Sequence, residues 1–118
     1  MRKELREKVY QKYNKKCAYC GLDIQYKEMQ VDHIIPKYNF DKPHFKTDFN
    51  NPDDFRNLNP SCRSCNKFKD TYDLETFRLQ IEAQIDRLRK YQSTFRLAER
   101  YGLIECKPKE VKFYFETL

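Results

Sequence analysis

Met29-Gln30-Val31-Asp32-His33-Ile34-Ile35-Pro36 lies between two cysteine pairs, Cys17-Ala18-Tyr19-Cys20-Gly21 and Cys62-Arg63-Ser64-Cys65. The β-branched content of this stretch predicts a strand, and Pro36 stops it. Each flanking Cys-x2-Cys is a two-residue knuckle that can turn both sulfurs toward one ion. Together the four thiolates of Cys17, Cys20, Cys62 and Cys65 suit a tetrahedral zinc. Residues 21–61 separate the pairs, well beyond the ~15–20 residues usual between such pairs in a zinc ribbon. Closing a longer loop costs little extra entropy, so the metal tolerates the gap, and something else is built inside it. Four thiolates leave no open coordination position. This zinc is structural, and any metal that does chemistry must be a second one.

Composition explains the need for a brace. The chain has 118 residues, 36% of them charged, with a mean hydropathy of −1.01. That is a thin apolar supply for one domain, offset in part by nine Phe and nine Tyr, which bury large areas each. No stretch approaches the ~18 apolar residues of a membrane span. Met1-Arg2-Lys3-Glu4-Leu5-Arg6-Glu7-Lys8 lacks an apolar signal core, so a cytoplasmic location with reduced thiols is the expectation, and no membrane partner. The fifth cysteine, Cys106, reads as a semi-buried free thiol. The net charge is +6. Arg2, Lys3, Arg6, Lys8, Lys12, Lys15 and Lys16 against Glu4 and Glu7 put +5 of it in residues 1–16. A basic surface of this size suits a polyanion, of which nucleic acid is the commonest, although a merely solvated basic helix carries the same signature.

Apolar spacing predicts a helix over residues 2–14. Residues 37–56, rich in Pro, Asn and Asp, read as an irregular excursion that is functional or partly helical; His44 within it reads as a loop histidine. Asn59-Pro60-Ser61 reads as a turn, and Cys62 to Lys69 as a short helix. From Asp73 to Tyr101 there is neither Gly nor Pro, and apolar residues recur every three or four positions. One long helix is expected over 73–101, with Asp73 as N-cap and Gly102 as stop. At ~1.5 Å per residue it would be roughly 40 Å long. Its stripe packs within the monomer or, as the alternative, forms a homodimer contact. Val111, Phe113 and Phe115 alternate as in a short terminal strand.

Asp32 and His33, followed by Asn57 and Asn66, make a pattern with the cysteine pairs. Over roughly residues 8–70 the chain resembles the HNH endonuclease family, in its zinc-containing, four-Cys branch. The matching residues are Cys17-Ala18-Tyr19-Cys20-Gly21, Val31-Asp32-His33-Ile34-Ile35-Pro36, Asn57-Leu58, and Cys62-Arg63-Ser64-Cys65-Asn66 with Lys69. The nine-residue step from Asn57 to Asn66 fits the family's spacing. The third motif residue is Asn where many members carry His, so this is an H-N-N version.

The resemblance implies an α+β fold: a ββα-metal, treble-clef-like core with a four-Cys structural zinc, plus the long C-terminal helix and short terminal strand. Residues 1–70 would be the nuclease core with its basic N-terminal helix, and 71–118 an extension packed on it within one compact domain. It implies a metal-dependent endonuclease of a bacterial or phage-type cell interior, hydrolysing double-stranded DNA to 5′-phosphate and 3′-hydroxyl ends. His33 would be the general base, a task for which an imidazole is suited at neutral pH. Asp32 and Asn66 would hold the catalytic ion, hard oxygen donors that favour Mg²⁺ or Mn²⁺. Asn57 would be structural, orienting His33, and Arg63, Lys67 and Lys69 would touch DNA. Neighbours on a regular strand point to opposite faces, so Asp32 and His33 share a site only if the strand twists, bulges or ends there. Two other readings compete. One is a zinc-stapled nucleic-acid-binding module without catalysis; the other is an interaction module built on the long helix.

Overall fold

A computed structural model describes residues 1–40, 47–49 and 51–118. His44 lies outside these residues. The chain forms two compact units, Met1–Leu74 with Lys112–Leu118, and Glu75–Val111.

The first unit is built on two short strands and two helices. Helix α1 (Lys3–Gln11) buries Val9 completely. It stops short of the expected residue 14 because Asn14 and Lys15 take left-handed φ values of 54° and 64°, which turn the chain into the first knuckle. Part of its basic character is spent internally. Arg6 donates to the carbonyls of Tyr26 and Met29 at 2.7 and 2.9 Å. Lys12 donates to those of Phe55 and Leu58 at 3.0 and 2.7 Å, and Lys16 pairs with Asp23 at 2.6 Å. Arg6 and Lys12 fasten the helix and its end to the loops around it, and Lys16 holds the segment that follows.

Strands β1 (Gln30–His33) and β2 (Leu58–Ser61) pair antiparallel, with Val31 opposite Pro60, Asp32 opposite Asn59 and His33 opposite Leu58. The expected turn at residues 59–61 is therefore a strand. A proline fits there because the carbonyl of Pro60 faces outward, accepting from the Ala18 N–H at 2.8 Å. Its missing N–H is not needed in the ladder. Helix α2 (Arg63–Lys69) follows at once, with the Cys62 sulfur as N-cap acceptor from the Cys65 N–H. β1, β2 and α2 give the ββα arrangement, an α+β fold.

The terminal strand does not form. Tyr114 and Phe115 donate their N–H groups to the carbonyls of Tyr19 and Ala18, and Tyr114–Thr117 winds into a 3-10 turn. Phe113 and Phe115 still share a target, for both rings meet Tyr19 edge-on at 5.3 and 5.9 Å. Gly21 has φ +77°, and a Cβ there would lie 3.2 Å from the Tyr114 ring. The conformation favours glycine, and a Cβ would fit only if the ring gave way by a few tenths of an ångström.

In the second unit the single helix expected over 73–101 is three: α3 (Leu74–Glu82), α4 (Gln84–Tyr91) and α5 (Ser93–Arg100). Arginine side chains make the breaks affordable without Gly or Pro. Near Ala83, Arg87 donates to the Gln80 carbonyl at 3.0 Å. At Gln92 the backbone is extended, and Arg96 takes the Arg89 carbonyl at 2.7 Å. α5 then turns back, and Glu99 meets Arg89 through two hydrogen bonds of 2.9 and 2.8 Å. The uninterrupted 40 Å seam that suggested a dimer is absent. Among the described residues no helix is long and apolar enough to cross a membrane.

Candidate active site

Four sulfurs converge first. The Sγ atoms of Cys17, Cys20, Cys62 and Cys65 all lie within 4.8 Å of one another, and Cys20 and Cys62 are 3.8 Å apart. Four Zn–S bonds of ~2.3 Å in a tetrahedron give sulfur–sulfur edges of about 3.8 Å. The cluster is compatible with a zinc site in spacing and donor chemistry. Its protons are already shared: a hydrogen bond from Cys65 draws Cys17 down to about 4, while burial pushes Cys20 up to about 11. Cys106 is a half-buried thiol without a disulfide.

Asp32 and His33 face different neighbours, as consecutive strand residues must. The Asp32 carboxylate is 4% exposed. It accepts from the Tyr19 hydroxyl, and the Lys69 ammonium stands 3.2 Å from its Oδ2. Lys69 also donates to the His33 carbonyl at 3.0 Å. Burial raises the Asp32 pKa against the opposing pull of Lys69 and Tyr19, and burial with Asp32 alongside pushes the Tyr19 phenol well up. Asn59, opposite Asp32 in the register, donates to the Tyr19 oxygen at 3.4 Å. Its own carbonyl oxygen has no partner among the described residues.

Lys69 is thus a correction. Expected at the surface against phosphate, it has no exposed side-chain area, because the last turn of α2 aims it at the carboxylate of β1. Arg63 and Lys67, on the other faces of α2, are exposed.

His33 ends β1, and its side chain turns toward the loop before β2. Its Nε2 lies 2.7 Å from Asp53 Oδ1, with Lys37 Nζ 3.7 Å from the same oxygen. The hydrogen bond from His33 holds the Asp53 carboxyl below the usual carboxylate range. Asn57 is fully buried. Its carboxamide oxygen accepts from the Ile35 N–H at 2.8 Å, and its nitrogen donates to the carbonyls of Ile35 and Pro52 at 3.1 and 2.8 Å. One side chain thereby ties the segment after His33 to the segment before Asp53.

Asn66, half-buried on α2, joins Asp32 and His33 in lining a shallow cleft of about 290 Å³, with Lys37, Tyr38 and Asp70 at its margin. The ending of β1 at His33 is what lets two neighbouring residues reach one cleft. Asp32, His33 and Asn66 are thus all among the residues that line it.

Residues 17–71 match the HNH endonuclease family. They form an HNH endonuclease domain. The HNH domain runs from the first knuckle through α2 and makes up just under half of the chain. Septu protein PtuB of Bacillus thuringiensis is 40% identical over 62 residues, 51% of this chain and 21% of that protein. The chain thus spans about a fifth of the length of this curated relative. No solved structure matches the chain significantly.

Hard oxygen donors at Asp32 and Asn66 fit a divalent ion such as Mg²⁺ or Mn²⁺. Tyr19 and Lys69 occupy part of the Asp32 carboxylate, but an ionised carboxylate offers about four lone-pair sites. Among the described residues none hydrogen-bonds the Asn66 carboxamide, so its oxygen is available.

Three residues of the HNH domain's site were not foreseen. Tyr19 lay hidden inside the first knuckle, where the cysteines drew the attention. Asn59 was masked by the turn signal of the following Pro60. Asp53 sits in the excursion whose length marks it as functional or partly helical, yet nothing in the sequence pairs it with His33.

Proposed function

We propose that the HNH domain is a metal-dependent endonuclease that hydrolyses phosphodiester bonds of double-stranded DNA. The observation that carries this is the meeting of Asp32, His33 and Asn66 in one cleft. Binding alone has no need of an imidazole, a carboxylate and a carboxamide so arranged. His33 acts as general base. An O–H bond of a water molecule breaks, its proton passes to the imidazole, and its oxygen attacks phosphorus in line. The bond to the 3′ oxygen breaks, and that oxygen leaves with the electron pair and gains a proton from solvent. The ends are 5′-phosphate and 3′-hydroxyl.

Asp32 and Asn66 would hold one Mg²⁺ or Mn²⁺, which supplies charge stabilisation for the leaving oxygen. Asn57 orients His33 by fixing the backbone on either side of the cleft. The exposed cations Arg63 and Lys67 hold DNA phosphates, while the zinc on the four cysteines braces the core. Residues 1–70 are taken as the catalytic core and 71–118 as the appended segment. The protein works inside the cell.

Plasmid nicking with Mg²⁺ or Mn²⁺ tests this, comparing wild type with His33→Ala. Cleavage by the wild type alone is the expected outcome; equal cleavage by the variant would exclude His33 as the base. One observation favours the second reading, a zinc-braced nucleic-acid-binding module without catalysis: the Asp32 charge is already matched by Lys69. Retention of DNA on a filter with no nicking in either metal would select that reading.

A further inference from the structure

The Asp53 carboxylate has a position of its own making. Asn51 Oδ1 accepts from the Asp53 N–H at 2.9 Å, and the Asp54 N–H closes a turn onto the Asn51 carbonyl at 3.2 Å. One residue earlier, the Pro52 carbonyl is gripped by the buried Asn57 amide, which also grips both backbone groups of Ile35, two residues after His33. The imidazole and the carboxylate are therefore held by one carboxamide that touches neither. The His33 side chain is 17% exposed, and a 2.7 Å contact from a largely enclosed ring differs from a chance pair between two solvated chains. Asp32, although adjacent in sequence, takes its hydrogen bonds from Tyr19 and Lys69 and not from the ring.

An imidazole has two nitrogens, and the bond made by one decides which state the other is in. We infer that Asp53 is the positioning residue of the HNH domain, accepting from Nε2–H of His33 so that the ring is fixed in rotation and Nδ1 is left bare to take the proton of the attacking water. This rests on the nuclease reading above. Asp53 touches neither water nor phosphate in this role; it acts through His33. Holding a base in one tautomer and one rotation removes unproductive states before reaction, and small misplacements of a reacting group can cost ~10²-fold in rate.

Two measurements test the inference, and the first is independent of DNA cleavage. In the zinc-loaded full chain, ¹⁵N-labelled at histidine and carrying His44→Gln to leave one imidazole, the ring nitrogen shifts are read above the titration of His33. A proton on Nε2 in the otherwise native chain, and a mixture of tautomers with Asp53→Ala, is the expected result; identical spectra would overturn the inference. The second is single-turnover cleavage. Asp53→Ala should slow the cutting step by ~10²-fold with KM unchanged, and should slow nothing further in a His33→Ala background. Losses that multiply, or a rate restored by raising Mn²⁺, would also overturn it, the latter by making Asp53 a metal ligand. If wild type cuts no DNA in any metal, the nuclease reading fails by itself, and the nitrogen shifts still judge the pairing.

Discussion

The Lys69 ammonium stands 3.2 Å from Asp32 Oδ2, and both side chains are closed to solvent. A buried ion pair adds little net stability over an apolar pair, yet removing one partner strands the other in a medium that solvates it badly. Lys69→Met should therefore cost about 3–5 kcal/mol, read by urea denaturation of the zinc-loaded chain. Adding Asp32→Asn to it should recover part of the loss. An unchanged midpoint for Lys69→Met would show that the carboxylate finds water or another donor.

Asn57 serves three backbone groups from a position without solvent access. Asn57→Ala leaves the Ile35 N–H and the carbonyls of Ile35 and Pro52 without that partner. The cost should be at least ~1–3 kcal/mol, the penalty of one stranded buried group. Hydrogen exchange at the Ile35 amide should quicken markedly; protection equal to wild type would mean that the loop is held from elsewhere.

At Gly21 two separate penalties meet. Gly21→Ala forces an L side chain to φ +77° and sets its Cβ against the Tyr114 ring. A melting experiment should show a loss of about 1–2 kcal/mol from the conformation alone. Tyr114→Ala in the same chain would relieve the contact but leave the backbone penalty. Full recovery in that double variant would locate all the strain in the ring.

The Arg89–Glu99 bridge ties α5 back to α4. Its hydrogen bonds hold the Glu99 carboxyl below its ordinary 4.5. A carboxyl whose pKa is lowered on folding binds fewer protons in the native state, so its contribution is present above the ordinary value. It is lost as pH falls through the folded one. Helical signal from this unit should accordingly weaken on acidification below about pH 4.5 in wild type. Glu99→Gln should flatten that part of the profile. A variant with the same acid response would assign it to other carboxyls.

How far the sequence could be read depended on the range of the interactions. The four-cysteine cluster was legible because two knuckles at fixed spacing have few uses. Asp32, His33, Asn57 and Asn66 were legible as a family pattern laid along the chain. Local signals misled where a distant partner overruled them. Pro60 signals a turn, but a buried strand position whose carbonyl points away from β1, to the Ala18 N–H, accepts it. Residues 73–101 have the apolar step of one helix, yet Arg87 and Arg96 take up carbonyls at the breaks and make shorter helices equally satisfied. Lys69 has the composition of a surface residue, and only the approach of β1 to α2 reveals its buried carboxylate. Asp53 was beyond reach for the same reason: it meets His33 directly, but only where folding brings its loop beside the end of β1.

Helix α2 has seven residues, and its roles run from one tip to the other. Cys62 opens it, Cys65 is in its first turn, Asn66 is next, and Lys69 closes it against Asp32. Sulfur and oxygen chemistry are therefore mounted on a single rigid beam barely two turns long. On the nuclease reading proposed above, a zinc ion held by the cysteines would take no part in bond breaking and would still set the alignment of Asn66 and Lys69. Oxidation of a single knuckle would then silence the cleft from a distance, with no change to any residue that lines it.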